Sequence, residues 1–181
     1  MKPTTPPPPG DHQPRLLVLD VDGVLTDNRL VISADGSEAK NFYIPDGAGI
    51  RWLIEHDIEV AWISGRASEV TLRRAAELGV TEVHTGIRDK ASSLQQLLDR
   101  LSIRSSDTVY VGDDLIDLPP MALVGVPVAV ADAHPVVQEA ACWVTERAGG
   151  QGAVREVCEW ILETHGVWSE LVNRQMTGDT P

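Results

Sequence analysis

The chain has 181 residues, with 15 Lys and Arg against 27 Asp and Glu and a formal net charge of -12. That length suits one domain with a real core, and that charge argues against nucleic acid or an anionic membrane surface as a partner. Only Cys142 and Cys158 are present, in no CxxC pair, which excludes a disulfide framework or a cysteine zinc site and fits a reducing, cytoplasmic compartment.

Residues 1–14 carry a proline run at 6–9 followed by Gly10 and read as a disordered tail, with no apolar signal core. No apolar run approaches the ~18 residues of a membrane span. One domain is expected over 15–164, then a flexible tail over 165–181. Apolar, β-rich runs at 16–21, 58–63, 108–111 and 126–130 alternate with helical patterns at 47–56, 68–78 and 89–101. That rhythm predicts an α/β fold, a doubly wound parallel sheet of Rossmann-like type with helices on both faces. A hairpin is expected over about 28–45, because Asp35-Gly36 separates two strand-like runs. It serves as a small lid or as an edge that pairs with another subunit, and no large cap domain is expected. His134-Pro135 precedes a further helix, and the glycines at 149–152 turn into a last helix over 153–163.

Chemistry concentrates where the apolar runs stop. In the stretch LLVLDVDGVLTD at 16–27, Asp20 and Asp22 stand two apart. An extended strand would point both carboxylates to one face, where a hard cation or a shared proton must relieve their repulsion. The run AWISGR ends in Ser64, Gly65 and Arg66, Lys90 opens a helix, and VYVGDD ends in Asp113 and Asp114 with Asp117 one turn later. Ligands of parallel α/β sheets bind beyond the carboxyl ends of the strands, so these residues are expected to meet at one edge. Asp20, Asp22 and Asp113 suit Mg²⁺; Asp20 suits nucleophilic attack on phosphorus, Asp22 general acid and base, and Ser64 and Lys90 donation to a phosphoryl group.

DVDGVLTD, ISGR, DK at 89–90 and GDDLID at 112–117 resemble the four ordered motifs of the haloacid dehalogenase superfamily. Together with the DG at 46–47, VAVADAHP at 128–135 and GGQGAVREVC at 149–158, they resemble the 3-deoxy-D-manno-octulosonate 8-phosphate phosphatase family. The resemblance implies a capless, Mg²⁺-dependent, homotetrameric enzyme of lipopolysaccharide inner-core synthesis that hydrolyses a small sugar-acid phosphate. It makes Asp20 nucleophile and metal ligand, and Asp22 the acid/base, touching the metal through its backbone carbonyl. Asp113 is the remaining direct ligand, with Asp114 and Asp117 supporting the metal's waters. Substrate contacts map onto Asp22, Tyr43, Ile44, Pro45, Asp46, Gly47, Arg51, Arg66, Arg74 and Lys90.

The chain departs from the family's pattern at Pro45, where a basic residue is common, and at Asn28, where glycine is common. Two further readings stay open: a phosphatase for a nine-carbon sialic-acid-type sugar 9-phosphate, and a non-catalytic phosphatase-like assembly module. A gating role for the glycine-rich and C-terminal region is a further expectation. Trp52, Trp62, Trp143 and Trp160 are expected in the core or an interface.

Overall fold

In the computed structural model, which describes residues 4–8 and 13–178, the first apolar run becomes strand β1, Leu16–Leu19, buried at every position. Two short strands follow, β2 at Val31–Ile32 and β3 at Glu38–Ala39, paired antiparallel around a turn at Gly36, whose φ is +84°. The expected hairpin exists: its ladder pairs Val31 with Ala39 and Ile32 with Glu38, and an isolated antiparallel bridge between Thr26 and Phe42 closes its base. Helix α1, Ile44–Glu55, begins three residues before the expected start, with a proline in its first turn. A helix tolerates proline there, where the missing N–H would have no partner anyway.

Strand β4, Glu59–Ile63, precedes helix α2, Glu69–Leu78, which is capped by the Ser68 hydroxyl accepting from Thr71 N and stopped at a left-handed Gly79. A short strand β5, Glu82–His84, leads to helix α3, Lys90–Leu101, capped by the Asp89 carboxylate. Strand β6, Thr108–Gly112, is wholly buried and runs through a 3-10 turn, Leu115–Asp117, into the single-turn helix α4, Leu118–Met121. Strand β7, Val126–Ala129, helix α5, Pro135–Ala140, and the two-residue strand β8, Trp143–Val144, complete the sheet. Helix α6, Ala153–Thr164, then returns across the molecule.

The sheet order is β5-β4-β1-β6-β7-β8 with every pairing parallel. β1 is therefore central. Its register sets Leu19 beside Trp62 of β4 and Val111 of β6, so the residues just past those three strands emerge together. The short strands β5 and β8 blunt the sheet's edges; three- and two-residue runs are also too short to show a periodic signal.

Both termini depart from expectation. Where a flexible tail was expected over 165–181, the chain forms helix α7, Trp168–Thr177, with Leu171 buried. Trp168 packs against Trp52 of α1, with ring centroids 6.0 Å apart. Of the N-terminal tail, residues 1–3 and 9–12 lie outside the described residues. The described part is tied to the body: Pro7 O accepts from Trp160 Nε1 at 3.0 Å, and Pro14 O lies 2.8 Å from His165 Nε2. Trp62, Trp143 and Trp160 are buried as expected.

Helices α1 and α6 approach closely enough that a Cβ on Gly49 would meet Cys158. Across this contact Asp46 Oδ1 accepts from Arg155 N at 2.7 Å, while its Oδ2 is buried without a hydrogen-bond partner. Burial pushes the Asp46 carboxyl from 3.8 up to about 6. A raised carboxyl favours the folded state below about pH 4, and that contribution is lost as pH rises through about 6. Asp46→Asn keeps an acceptor for Arg155 N and removes the buried charge. Urea unfolding at several pH values should show the variant gaining on the parent between pH 4 and pH 7, by on the order of 1–3 kcal/mol; a pH-independent difference would refute this account of Asp46.

Candidate active site

The convergence of Asp20 and Asp22 has a different origin from the one their spacing suggests. β1 ends at Leu19, and Asp22 sits in a turn closed by Leu25 N donating to Val21 O at 3.0 Å. Gly23 makes this turn possible: its φ is +95°, and a Cβ there would fall on the Asp113 carboxylate. Gly149 seals the turn from behind, since a Cβ on it would strike Gly23 O. The glycine-rich segment is therefore packed against the first motif, with Gly150 N donating to Val24 O at 2.9 Å.

A cavity of about 170 Å³ opens at the ends of β1, β4 and β6, lined by Asp20 and Asp22, Ser64 to Arg66, Lys90, Asp113 and Asp114, with Asn28 and Ile116 at its wall. Asp20 Oδ1 accepts from Val21 N at 2.7 Å and from Lys90 Nζ at 2.9 Å. Lys90 Nζ also reaches Asp117 Oδ1 at 2.8 Å, where Tyr110 OH donates at 2.8 Å. The other Asp117 oxygen accepts from the backbone N–H of Asp113 and Asp114. Asp117 is fully buried and does not line the cavity.

The charges do not balance. Asp20, Asp113 and Asp117 are all buried, with candidate ligand oxygens within 4.8 Å of one another, and among the described residues Lys90 is the one cation at hydrogen-bond distance from them. Burial first, then repulsion from Asp117, pushes the Asp20 carboxyl up; burial first, then Asp20, pushes Asp113 up. Burial opposes the charge on Lys90, but Asp20 and Asp117 outweigh it and hold that ammonium above the ordinary lysine range. Asp113 Oδ1 is buried with no hydrogen-bond partner. A cluster with two excess negative charges and an orphaned carboxylate oxygen fits a divalent cation of oxygen preference, held by Asp20 and Asp113. Both oxygens of Asp117 are already engaged, so it braces Lys90 and the β6 turn.

Asn28, the departure from glycine, occupies the left-handed region at φ +60° and donates from Nδ2 to Asp113 Oδ2 at 3.1 Å. Asparagine is among the few residues that tolerate that conformation, and here its side chain buttresses the carboxylate. Lys40 was missed from the sequence entirely. Its ammonium lies 2.7 Å from Asp22 Oδ1 with the side chain wholly covered. The signal was the alternation Glu38, Lys40, Phe42 pointing inward while Ala39 and Asn41 are exposed.

The expected substrate contacts divide. Asp22, Arg66 and Lys90 line the cavity; Arg66 is half exposed and its Nη2 donates to Glu38 Oε2 at 2.8 Å. Tyr43, Ile44, Pro45, Asp46, Gly47, Arg51 and Arg74 do not line it. The early start of α1 draws the 43–47 segment onto α6: Asp46 is tied to Arg155, and Tyr43 and Pro45 border a separate cavity of about 350 Å³ beside Arg147 and Arg155. Arg74 packs over Gly47 and pairs with Glu77 at 2.8 Å, and Arg51 is exposed on α1.

A family model described as haloacid dehalogenase-like hydrolase matches residues 70–157. The 3-deoxy-D-manno-octulosonate 8-phosphate phosphatase KdsC of Escherichia coli (strain K12) is 48% identical over 156 residues, covering 86% of this chain and 83% of that one. A crystal structure of the 3-deoxy-D-manno-octulosonate 8-phosphate phosphatase of Yersinia pestis is 46% identical, with a TM-score of 0.86 over 87% of this chain and 85% of that one. The Moraxella catarrhalis phosphatase of the same name, in complex with magnesium ion, phosphate ion and KDO, is 36% identical, with a TM-score of 0.87 over 89% and 92% of the two chains. The order of motifs, the strand-end carboxylates and these likenesses agree: the chain belongs to the 3-deoxy-D-manno-octulosonate 8-phosphate phosphatase family of haloacid dehalogenase-like hydrolases.

Proposed function

We propose that this chain is a Mg²⁺-dependent phosphatase that hydrolyses 3-deoxy-D-manno-octulosonate 8-phosphate to the free sugar acid and phosphate, the step that supplies the lipopolysaccharide inner-core precursor. One observation carries the chemistry. Both hydrogen bonds received by Asp20 fall on Oδ1, so Oδ2 is the oxygen left for attack on phosphorus. Attack there breaks the ester bond and leaves an aspartyl-phosphate on Asp20. Asp22 gives a proton to the departing sugar oxygen, then takes one from the water that cleaves the acyl phosphate. Lys90 and the Ser64 hydroxyl orient the phosphoryl oxygens. Asp20, Asp113 and the backbone carbonyl of Asp22 would hold Mg²⁺, which would supply charge neutralisation for the phosphoryl group.

The cavity, at about 170 Å³, is below the ~300–1,000 Å³ of pockets that enclose a small-molecule ligand. It suits the cation and the phosphoryl group, leaving the sugar acid at the rim beside Arg66, whose guanidinium fork matches a carboxylate or phosphate. The convergence of Asp20, Asp22, Lys90 and Asp113 on one cavity disfavours the non-catalytic module. For assembly we propose a homotetramer. Val31 and Ile32 on the hairpin and Ile44 beside it are 57%, 67% and 77% exposed, an apolar edge that a neighbouring copy would cover.

Phosphate release should be Mg²⁺-dependent, abolished by EDTA and by Asp20→Asn, and faster with the eight-carbon acid 8-phosphate than with a nine-carbon keto-sugar acid 9-phosphate or simple sugar phosphates. Preference for the nine-carbon acid would keep the mechanism and change the substrate; no metal-dependent release from any of them would defeat the proposal. In Asp117→Asn, an amide NH₂ must face Lys90 and Tyr110 or two backbone N–H groups, all donors. Lys90 keeps Asp20 as its partner, so the cost is that of the clashing donors: denaturant unfolding should show a loss of roughly 1–3 kcal/mol, whereas no loss would remove Asp117 as the brace. Light scattering should give a tetramer that Ile32→Lys breaks into smaller species. A monomer at working concentration would contradict the assembly.

A further inference from the structure

Helix α2 and the hairpin are joined by a chain of polar contacts that the phosphoryl-transfer chemistry does not by itself require. Glu38 accepts from Ser68 Oγ and from Arg66 Nη2, which already fastens the hairpin to the start of α2. Lys40 goes further. Its ammonium donates to Thr71 Oγ1 at 3.3 Å and lies 4.0 Å from Glu38, yet its shortest contact is the 2.7 Å pair with Asp22 Oδ1. The side chain of Lys40 is 0% exposed and that of Asp22 is 23% exposed. A covered ammonium is costly unless paired at close range, so it has few other places to go. Asp22 in turn has no other side-chain bond in the described structure than this one.

We propose that Lys40 is a positioning residue for the proton-transfer steps. The inference rests on the reading of Asp22 as the acid/base. By engaging Oδ1, Lys40 fixes the rotation of the Asp22 carboxylate and leaves Oδ2 as the oxygen that carries the proton to the sugar oxygen and later accepts one from water. Thr71 holds the ammonium from the far side, so the aim of Asp22 depends on the hairpin being seated on α2. Glu38, Lys40 and Phe42 share one face of that arm, and Phe42 stacks on Trp62 of β4 with ring centroids 6.3 Å apart, anchoring the arm that carries the lysine.

The test is a double-mutant cycle on the full-length, Mg²⁺-supplied enzyme, reading kcat, KM and melting temperature for Lys40→Met and Lys40→Arg in the parent and in Asp22→Asn. Asp22→Asn alone should lower kcat by at least about 10²-fold, the usual scale for losing a general acid or base. Lys40→Met should lower kcat by roughly 10- to 100-fold with KM within about 3-fold, and cost less than about 3-fold once Asp22 is Asn, because a residue acting through another has nothing left to position. Lys40→Arg, which retains the charge in a different shape, should show the same dependence on Asp22 with a smaller loss, and it carries the test if Lys40→Met does not fold. Equal losses in both backgrounds, or a rise in KM alone, would overturn the role of Lys40. A parent-like kcat in Asp22→Asn would instead overturn the acid/base reading beneath it.

Discussion

The site depends on the ion pairing of one buried lysine. Lys90 opens α3 with its ammonium between Asp20 and Asp117, and three buried carboxylates around it leave an excess of negative charge that no other cation among the described residues offsets at close range. In a low-dielectric setting such an excess costs several kcal/mol per charge, so the apo fold holds carboxyls pushed above their ordinary range. The same strain makes the pocket receptive to a divalent ion, and such an ion would make a phosphate dianion tolerable beside the Asp20 carboxylate. Cation demand and phosphate chemistry thus follow from one imbalance.

Backbone packing keeps that imbalance in place. Gly23 admits the Asp113 carboxylate to the space where any other residue would put a Cβ, and Gly149 admits the carbonyl of Gly23. These contacts stack the first motif between β6 and the glycine-rich segment. Asp117 completes the arrangement by accepting from Asp113 N and Asp114 N, so the carboxylate beside it is aimed by the turn that carries it. Movement of the glycine-rich segment would therefore disturb the Asp22 turn, so its packing is part of what holds that turn.

The sequence made the central sheet and the chemical core legible because both depend on local pattern. The runs ending at Asp20, Ser64 and Asp113 are apolar, continuous and flanked by capped helices, and residues that close parallel strands must emerge on one side. What stayed hidden depends on packing. Strands of two or three residues at the sheet's edges carry no period. Helix α7 has a narrow apolar stripe around Leu171 and Trp168 that becomes meaningful only against α1 and α6. The even spacing of Asp20 and Asp22 suggested a strand where a turn exists, reaching the right convergence by the wrong geometry. The helical pattern predicts a start at 47, whereas Pro45 sits in the first turn of a helix that starts at Ile44, and Asp46 faces Arg155 and not the cavity.

That displacement separates chemistry from specificity. On the proposed reading, Asp20, Asp22, Ser64, Lys90 and Asp113 serve phosphoryl transfer, and none of them distinguishes one sugar acid from another. Discrimination must come from groups that meet the sugar at the rim, and on this chain the cation there is Arg66, already paired with Glu38 of the hairpin. An overall charge of -12 repels an anionic substrate at long range, so local cations at the mouth must overcome it. If Arg66 receives the substrate as proposed, it exchanges the Glu38 carboxylate for an anion of the substrate, a chemically similar partner. On that reading, the seating of the hairpin arm bearing Glu38 and Lys40 governs how Arg66 meets the sugar acid. The same arm reaches Asp22 through Lys40, so in the proposed mechanism binding the sugar and aiming the proton donor share one local geometry.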